Sequence, residues 1–196
     1  GTGVAFSPAG TEVAFSNGTA NFVSAYPWSS SGFGTKFTNP ATLPTNTGNG
    51  VSFSPAGTEL VIAHTTLPYV TAYPWSSSGY GTKFADPDTL PTGVGRGVGF
   101  SPAGTELAIA HTSAPRVTVY TWSSSGFGTK FDNPATAVSG SSGYDVAFSS
   151  SGTEIAISSS STPWVHAYPW SSSGFGTKFT NPDTLPTGTG NGVAFS

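Results

Sequence analysis

Phe-Ser-Pro-Ala-Gly-Thr-Glu stands at residues 6–12 of the chain and again at residues 53–59 and 100–106. A degenerate copy, Phe-Ser-Ser-Ser-Gly-Thr-Glu, fills residues 148–154, and its first two residues return at 195–196. Successive copies begin 47, 47, 48 and 47 residues apart, so the chain contains four repeats of one unit followed by the start of a fifth. A unit of this length cannot bury its apolar face alone and must stack on its neighbours.

The second copy shows what one unit encodes. Pro55 and Gly57 occupy the second and fourth positions of Ser-Pro-Ala-Gly, as a type I turn requires, and predict a tight hairpin. On either side, and again further along, apolar and aromatic residues alternate with small or polar ones, which is the pattern of strands, and no segment has helical spacing. Strands are predicted at residues 51–53, 60–64, 69–73 and 80–84.

The rest of the unit, residues 85–97, is a crossover rich in proline and glycine. Four strands and one crossover in about 47 residues are typical of a propeller blade, whereas the rungs of a β-solenoid are shorter. We therefore expect an all-β chain, a β-propeller built from four four-stranded antiparallel blades plus the first strand of a fifth. Residues 1–196 are expected to be one domain, a segment of a longer or oligomeric propeller. The blades are placed at residues 1–47, 48–94, 95–142 and 143–189, and another begins at 190–196.

The composition fits an all-β protein of an outer surface. Only 8% of the residues are charged, against roughly 25% in an ordinary domain, and the net charge of −3 leaves no basic face for nucleic acid. Cysteine is absent, which excludes disulfide frameworks and zinc–thiolate sites. No apolar run approaches the ~20 residues of a membrane helix. Because methionine is absent too, we expect a processed chain or a piece of a longer one.

Residues 100–110, Phe-Ser-Pro-Ala-Gly-Thr-Glu-Leu-Ala-Ile-Ala, resemble the inner hairpin of WD40-type repeats, which commonly read FSPDGxxLA. Residues 117–121 resemble the third strand of those repeats, which ends in Trp-Asp. Here that position reads Tyr-Pro in three units and Tyr-Thr in one, and no Gly-His precedes it, so the resemblance implies a WD40-like propeller of variant type. The sequence of residues 26–37, Tyr-Pro-Trp-Ser-Ser-Ser-Gly-Phe-Gly-Thr-Lys-Phe, also resembles tandem repeats of bacteriophage structural proteins.

One tryptophan recurs in each unit, just before the Ser-Ser-Ser-Gly turn. If these rings are exposed, they could stack on sugars and make the chain a propeller lectin with one site per blade. If they are buried, each ring packs between blades, and this interpretation is preferred. The four residues are Trp28, Trp75, Trp122 and Trp170.

One glutamate and one lysine also recur in each unit. A carboxylate repeated in every blade does not make a catalytic pair, because catalysis needs one site where an acid and a base with different pKa values come together. We expect ion pairs between strands or blades, and neither enzymatic activity nor a cofactor. The residues are Glu12, Glu59, Glu106 and Glu154, with Lys36, Lys83, Lys130 and Lys178.

The histidines break the symmetry of the units. His64 and His111 end the second strand of units two and three, where Asn17 and Ser159 stand in the other units, and His166 lies on a third strand. Because no fixed carboxylate accompanies them, a shared metal site is disfavoured and no metal is expected. Polar strand ends that face water are the preferred interpretation.

The units differ most in the loop between the second and third strands and in the third crossover. In a propeller both lie on one face, with the uniform turns on the other, so this diversity predicts a partner-binding face. Drift in unselected loops is the alternative. Candidate binding residues are Asn17, Asn21, His64, Tyr69, His111, Arg116, Tyr144, Asp145 and Trp164.

These features predict a non-enzymatic structural or adhesion module of an extracellular particle, such as a phage tail or capsid appendage. Its face would contact a surface glycan or a protein, either a sister subunit or a particle component. A propeller lectin with sugar sites at the repeated tryptophans is the first alternative, and an intracellular protein-interaction scaffold is the second. We expect no nucleic-acid partner and no membrane insertion, and a location outside the cell or on a virion surface.

Overall fold

The computed structural model describes residues 2–196, and all regular structure within them is β-strand. Four antiparallel sheets of four strands follow one another along the chain, and within each sheet the strands lie in chain order. This confirms the predicted all-β architecture of four repeated blades. Residues 2–196 contain no helix of the length and apolarity that a membrane crossing requires.

The strand bounds repeat from blade to blade. The first blade holds β1 (Gly3–Phe6), β2 (Glu12–Ser16), β3 (Val23–Ser29) and β4 (Gly32–Phe33), and the second holds β5 (Gly48–Phe53), β6 (Glu59–His64), β7 (Val70–Ser76) and β8 (Gly79–Tyr80). The third holds β9 (Gly95–Phe100), β10 (Glu106–His111), β11 (Val117–Ser123) and β12 (Gly126–Lys130). The fourth holds β13 (Gly143–Phe148), β14 (Glu154–Ser159), β15 (Val165–Ser171) and β16 (Gly174–Phe175).

Each blade opens with the predicted hairpin. In the first blade Ser7 N donates to Glu12 O at 2.9 Å, and Gly10 N donates to Ser7 O at 2.8 Å. Gly10 has a φ of 68°. The Ser7 hydroxyl accepts a hydrogen bond from Glu12 N at 3.1 Å, and the equivalent serine does the same in the other three blades. The serine of the repeated heptapeptide therefore completes the turn with its side chain.

Successive blades pack a face of large side chains on a face of small ones. Because side chains alternate along a strand, Leu60 and Ile62 of β6 face the first blade, while Val61 and Ala63 face the third. At the first junction the large residues meet Ala14 of β2 in one buried cluster. Buried apolar area contributes about 25 cal/mol per Å². Each blade therefore gains its core from its neighbour.

The fourth strands are shorter than predicted, and a proline explains the difference. β4, β8 and β16 hold two residues each, whereas β12 holds five. The Pro74 carbonyl of β7 points toward the fourth strand and accepts a hydrogen bond from Gly81 N at 2.8 Å. The N–H of a strand residue points to the same side as its carbonyl. Because proline has no N–H, the edge of β7 that faces β8 lacks one donor, and the pairing stops there. The third blade has Thr121 at this position, and β12 extends to Lys130. The prediction of a five-residue fourth strand in the second blade is therefore wrong.

Exchanging these residues is expected to move the end of the fourth strand. Thr121→Pro should shorten β12 to the length of β8, and Pro74→Thr should lengthen β8, because the changes remove or supply one N–H at the edge. Amide hydrogen exchange measures the effect, with lower protection of residues 128–130 expected in Thr121→Pro. Thr121→Ser keeps the N–H and is the control. If it deprotects residues 128–130 equally, the backbone explanation is wrong.

The first blade exposes residues that are buried in the next one. Val4 and Phe6 of β1 are 59% and 52% exposed, whereas Val51 and Phe53 at the same places in β5 are 8% and 7% exposed. The difference arises because the first blade covers the second, while no blade among residues 2–196 covers the first. The four blades therefore form an open array.

Residues 190–196 do not form the predicted first strand of a fifth blade. An inner strand forms by pairing with a second strand, and no strand within residues 2–196 pairs with this segment. It lies beside β13 instead, where Val193 N donates to a carboxylate oxygen of Asp145 at 3.1 Å. The segment thus occupies the place of the next inner strand without strand pairing.

Candidate functional site

One face of the array carries the loops between second and third strands together with the ends of the crossovers. Backbone hydrogen bonds join the two, as from Thr65 N to Thr47 O at 3.1 Å and from Thr112 N to Val94 O at 3.1 Å. The antiparallel strand order places all remaining turns on the opposite face. We call this surface the loop face; its loops are residues 17–22, 65–69, 112–116 and 160–164.

Each loop ends in a residue whose backbone is left-handed, a conformation that glycine adopts freely and other residues rarely adopt. In the first loop the preceding residue, Asn21, also has a positive φ, of 82°. The strain costs a side-chain-bearing residue about 1–2 kcal/mol. All four residues are partly exposed, and all four have different side chains. They are Phe22, Tyr69, Arg116 and Trp164, with φ values of 54°, 70°, 72° and 70°.

The same two backbone hydrogen bonds hold each left-handed residue. In the second blade Tyr69 N donates to Thr66 O at 2.8 Å, and Tyr69 O accepts from His64 N at 2.9 Å. The other three loops repeat both bonds. A strained residue persists only where its surroundings impose the conformation. The loop face therefore combines a left-handed position and two hydrogen bonds that recur in every blade with a side chain that changes from blade to blade.

The structure divides the nine candidate binding residues into three groups. Those on the loop face with part of their surface exposed are Asn17, Asn21, Tyr69, Arg116 and Trp164. Two more, Tyr144 and Asp145, lie at the centre of the array, and the last two are the histidines His64 and His111.

His64 and His111 do not face water, and that prediction is wrong: both side chains are fully buried. His64 shares a hydrogen bond of 2.9 Å with the Thr71 hydroxyl and one of 3.3 Å with the Thr45 hydroxyl. His111 shares a bond of 2.9 Å with the Thr118 hydroxyl. Burial lowers the pKa of both imidazoles to about 4, so both are neutral at pH 7. The crossovers cover these strand ends, and the two histidines form part of the buried layer beneath the loop face.

His166 is a third histidine in the same buried layer. His166 occupies the position of Thr71, and Ser159 occupies the position of His64. In the last blade the imidazole therefore comes from the third strand, β15, and not from the second. His166 Nε2 accepts from Ser139 N at 3.2 Å, and burial lowers its pKa to about 4. Within residues 2–196, no three potential metal-ligating side chains gather in one place.

The four inner strands surround a polar cavity of about 200 Å³, the axial cavity. Its wall is built on glycines, since a Cβ on Gly50 or Gly97 would collide with the next inner strand. Apart from Asp145, its polar side chains come from one position of the unit, directly after a glycine. These residues are Thr2, Asn49, Arg96 and Tyr144, with Asn191 from the final segment.

Two charged groups line the axial cavity. The Arg96 guanidinium carbon lies 5.5 Å from the centre of the Tyr144 ring, a cation–π contact. Asp145 replaces the glycine that other units carry, and burial raises the pKa of its carboxyl. An arginine and a carboxylate in one small cavity can hold a polar group by charge-assisted hydrogen bonds.

The unit-to-unit differences identified only part of this cavity. Tyr144 and Asp145 stand out because the third crossover is irregular, whereas Asn49 and Arg96 sit inside regular Gly-X-Gly stretches and were missed. The available signal was the middle residue of that stretch, which changes in nearly every unit. It becomes meaningful only when the inner strands are known to meet at one axis.

Three of the four repeated tryptophans are packing residues. Trp75, Trp122 and Trp170 are 5%, 6% and 5% exposed. The Trp75 ring meets the edges of Phe37 and Phe53, with centroids 5.0 and 5.3 Å apart. These three rings therefore pack between blades and have no open face on which a sugar could stack, whereas Trp28 is partly exposed.

The recurring glutamates and lysines do not pair with each other. Glu12 accepts from the Thr11 hydroxyl at 2.9 Å, and its counterparts likewise bond to hydroxyls beside them. Lys83 pairs with Asp86, and the other three lysines bond to an asparagine three residues on. The expected Glu–Lys ion pairs are therefore wrong, because each charge finds a partner within its own segment.

No protein-family model and no curated protein sequence matches the chain. Solved structures do match. Kuenenia stuttgartiensis hydrazine synthase superposes with a TM-score of 0.66 at 14% identity, over 90% of this chain and 48% of that one. The periplasmic gluconolactonase PpgL of Pseudomonas aeruginosa superposes with a TM-score of 0.70 at 17% identity, over 96% of this chain and 59% of that one.

The fold is a repeat β-propeller. This chain spans about half the length of the first solved structure and 59% of the second. At such low identity the likeness concerns the fold alone.

Proposed function

We propose that this propeller is a non-enzymatic binding module of an outer surface, extracellular or on a virion, which presents its loop face to a partner. The observation that carries the proposal is the set of left-handed residues at the loop ends, which have φ values between 54° and 72° and four different side chains. At Phe22, Tyr69 and Trp164 the φ does not call for a large side chain, because glycine adopts it without strain. Arg116 differs in that its Nη1 also donates to Val138 O at 3.2 Å. Contact with a partner gives these strained side chains a purpose.

The chemistry of the four side chains favours a protein partner. Trp164, Tyr69 and Arg116 are the residue types that dominate the binding energy of protein interfaces, and Phe22 adds apolar area. The axial cavity begins at the same end of the inner strands and offers Arg96 and Asp145 to a polar group. A sister subunit or a component of the same particle is the kind of protein that suits a structural module.

The lectin alternative loses three of its four proposed sites. Sugar stacking at the repeated tryptophans needs exposed rings, and three of the four are buried between blades. Binding of a glycan to the loop face is a separate outcome, which the following experiment distinguishes.

Replacing a left-handed side chain by glycine is expected to separate binding from folding. Tyr69→Gly and Trp164→Gly remove the side chain and relieve the strained φ, so the free energy of unfolding should stay constant or rise by up to ~1 kcal/mol. Affinity for the partner should fall at least roughly tenfold. The labelled chain is probed against arrays of surface proteins and of glycans, and the hits are titrated with each variant.

Ser77→Gly is the matched control, because it places a new glycine in a turn on the opposite face. It should leave affinity unchanged. Full affinity in both loop-face variants, or loss of affinity in the control, would contradict the proposal. Binding to glycans without any protein would replace the protein partner by a sugar on the same face.

A further inference from the structure

The two ends of the array carry the two halves of a contact that the chain makes three times internally. At each junction a phenylalanine of one crossover meets the tryptophan of the next blade edge-on, with centroids 5.0, 5.5 and 5.0 Å apart. The pairs are Phe37–Trp75, Phe84–Trp122 and Phe131–Trp170.

A hydrogen bond accompanies each of these aromatic pairs. A tyrosine hydroxyl of the following blade donates to a threonine carbonyl of the same crossover, at 2.6, 2.6 and 2.7 Å. All three tyrosines are fully buried. The bonds are Tyr73–Thr42, Tyr120–Thr89 and Tyr168–Thr136.

The first blade has the receiving half of this contact, and no crossover within residues 2–196 packs on it. Trp28 and Tyr26 occupy the places of Trp75 and Tyr73, yet both are partly exposed, and Phe33 beside them is 59% exposed. The turn glycines show the same gap. A Cβ on Gly79 would lie 3.1 Å from the Phe37 ring, whereas one on Gly32 would meet nothing within 4 Å.

The last crossover is the inserting half, and no blade follows it within residues 2–196. Residues 177–187 repeat residues 35–45, the segment that covers the second blade, with Asp183 in place of Ala41 as the one difference. Phe179 in this segment is 45% exposed, and residues 180–184 are exposed as well. The chain therefore carries, unused, the sequence that fits the open face of its own first blade.

We propose that copies of this chain join head to tail, with the last crossover of one copy packed on the open face of the first blade of the next. Phe179 then meets Trp28 edge-on, and the Thr184 carbonyl accepts a hydrogen bond from the Tyr26 hydroxyl. The partner is a second copy because the first three junctions show this face covered by this same crossover sequence. A contact between unlike surfaces closes into a ring or extends into a filament.

The final segment fits the same junction. Residues 192–196 repeat residues 3–7, Gly-Val-Ala-Phe-Ser, and lie beside Asp145 where the next inner strand belongs. In the joined pair, the segment moves aside for β1 of the next copy or replaces β1 in the sheet. Both arrangements present the same side chains to β2, and both keep the contacts of Phe179 and Thr184.

Two complementary variants test the junction. The parent chain is expected to show a molar mass that is a multiple of 19.8 kDa by light scattering across roughly 5–200 μM. Phe179→Asp disables the inserting half and Phe33→Asp the receiving half, so each variant alone should be a monomer. Mixed in equal amounts, they keep one intact half each and should form dimers and nothing larger. Leu67→Asp is the control, because Leu67 is 55% exposed but lies on the loop face, and it should assemble like the parent.

A parent chain that stays at 19.8 kDa throughout would overturn the proposal. A mixture that remains monomeric would do so too, as would assembly that survives in both single variants. Circular dichroism establishes that each variant is folded. If Phe33→Asp is not, Tyr26→Phe takes its place, since it removes one hydroxyl and should weaken association roughly fivefold. Unchanged association in that variant would count against the proposed hydrogen bond and the junction with it.

Discussion

Acidification from about pH 7 to about pH 4.5 is expected to destabilise the propeller by several kcal/mol. His64, His111 and His166 are buried, and burial lowers the pKa of each from 6.5 to about 4. The unfolded chain therefore takes up protons near pH 6.5, while the folded chain stays neutral until about pH 4. Stability is complete above the unfolded pKa and is lost as the pH falls through this window, by roughly 2–3 kcal/mol for each histidine.

Urea unfolding at a series of pH values measures this loss. The matched control carries His64→Asn, His111→Asn and His166→Thr, which are the residues that other blades place at the same positions. Its stability should depend much less on pH over the same window. Asp145 works in the opposite direction, because its raised pKa favours the folded state once its carboxyl is protonated. A parent chain whose stability is flat over this range would contradict the buried, neutral histidines.

Trp122→Ala is expected to cost about 3–5 kcal/mol of unfolding free energy. The ring is 6% exposed and meets Phe84, Phe100 and Phe127 edge-on, with centroids 5.5, 5.4 and 5.0 Å apart. Truncation leaves a cavity between two blades, and the rigid sheets on either side cannot collapse to fill it. Denaturant unfolding followed by circular dichroism gives the difference.

Trp28→Ala provides the comparison inside the same chain. The tryptophan has the same place in its unit, but no crossover within residues 2–196 packs on it, so its loss should cost less than half as much. Both substitutions are made in the Phe179→Asp background, where a second copy does not cover Trp28. Equal losses at the two positions would show that the stability of the blades does not come from their junctions.

The blades could be predicted because their signals are local or periodic. Pro55 and Gly57 specify the turn wherever the heptapeptide recurs, and the interval of 47 residues specifies how often a sheet is repeated. The length of the fourth strand was mispredicted although its determinant is visible in the sequence. The missing N–H of Pro74 matters only because the backbone turns it toward β8, and the alternation of side chains does not show that.

The candidate site could be predicted where it depends on differences between units. Tyr69, Arg116 and Trp164 stand out because the same loop carries a different residue in each blade. Their left-handed backbone was not foreseen, since residues of these types rarely adopt it. The burial of His64 and the gathering of Arg96 with Asp145 depend on crossovers and inner strands from other units. Contacts of that kind become visible only in three dimensions.

The claim that the strained side chains serve binding rather than folding is tested most directly by one variant. Phe22→Gly, Tyr69→Gly and Trp164→Gly are combined, and calorimetric unfolding and affinity for the array-identified partner are measured on the same preparation. We predict an unfolding temperature equal to that of the parent chain or a few degrees higher, together with loss of binding. An unfolding temperature that falls as in a core variant, with binding intact, would contradict the account.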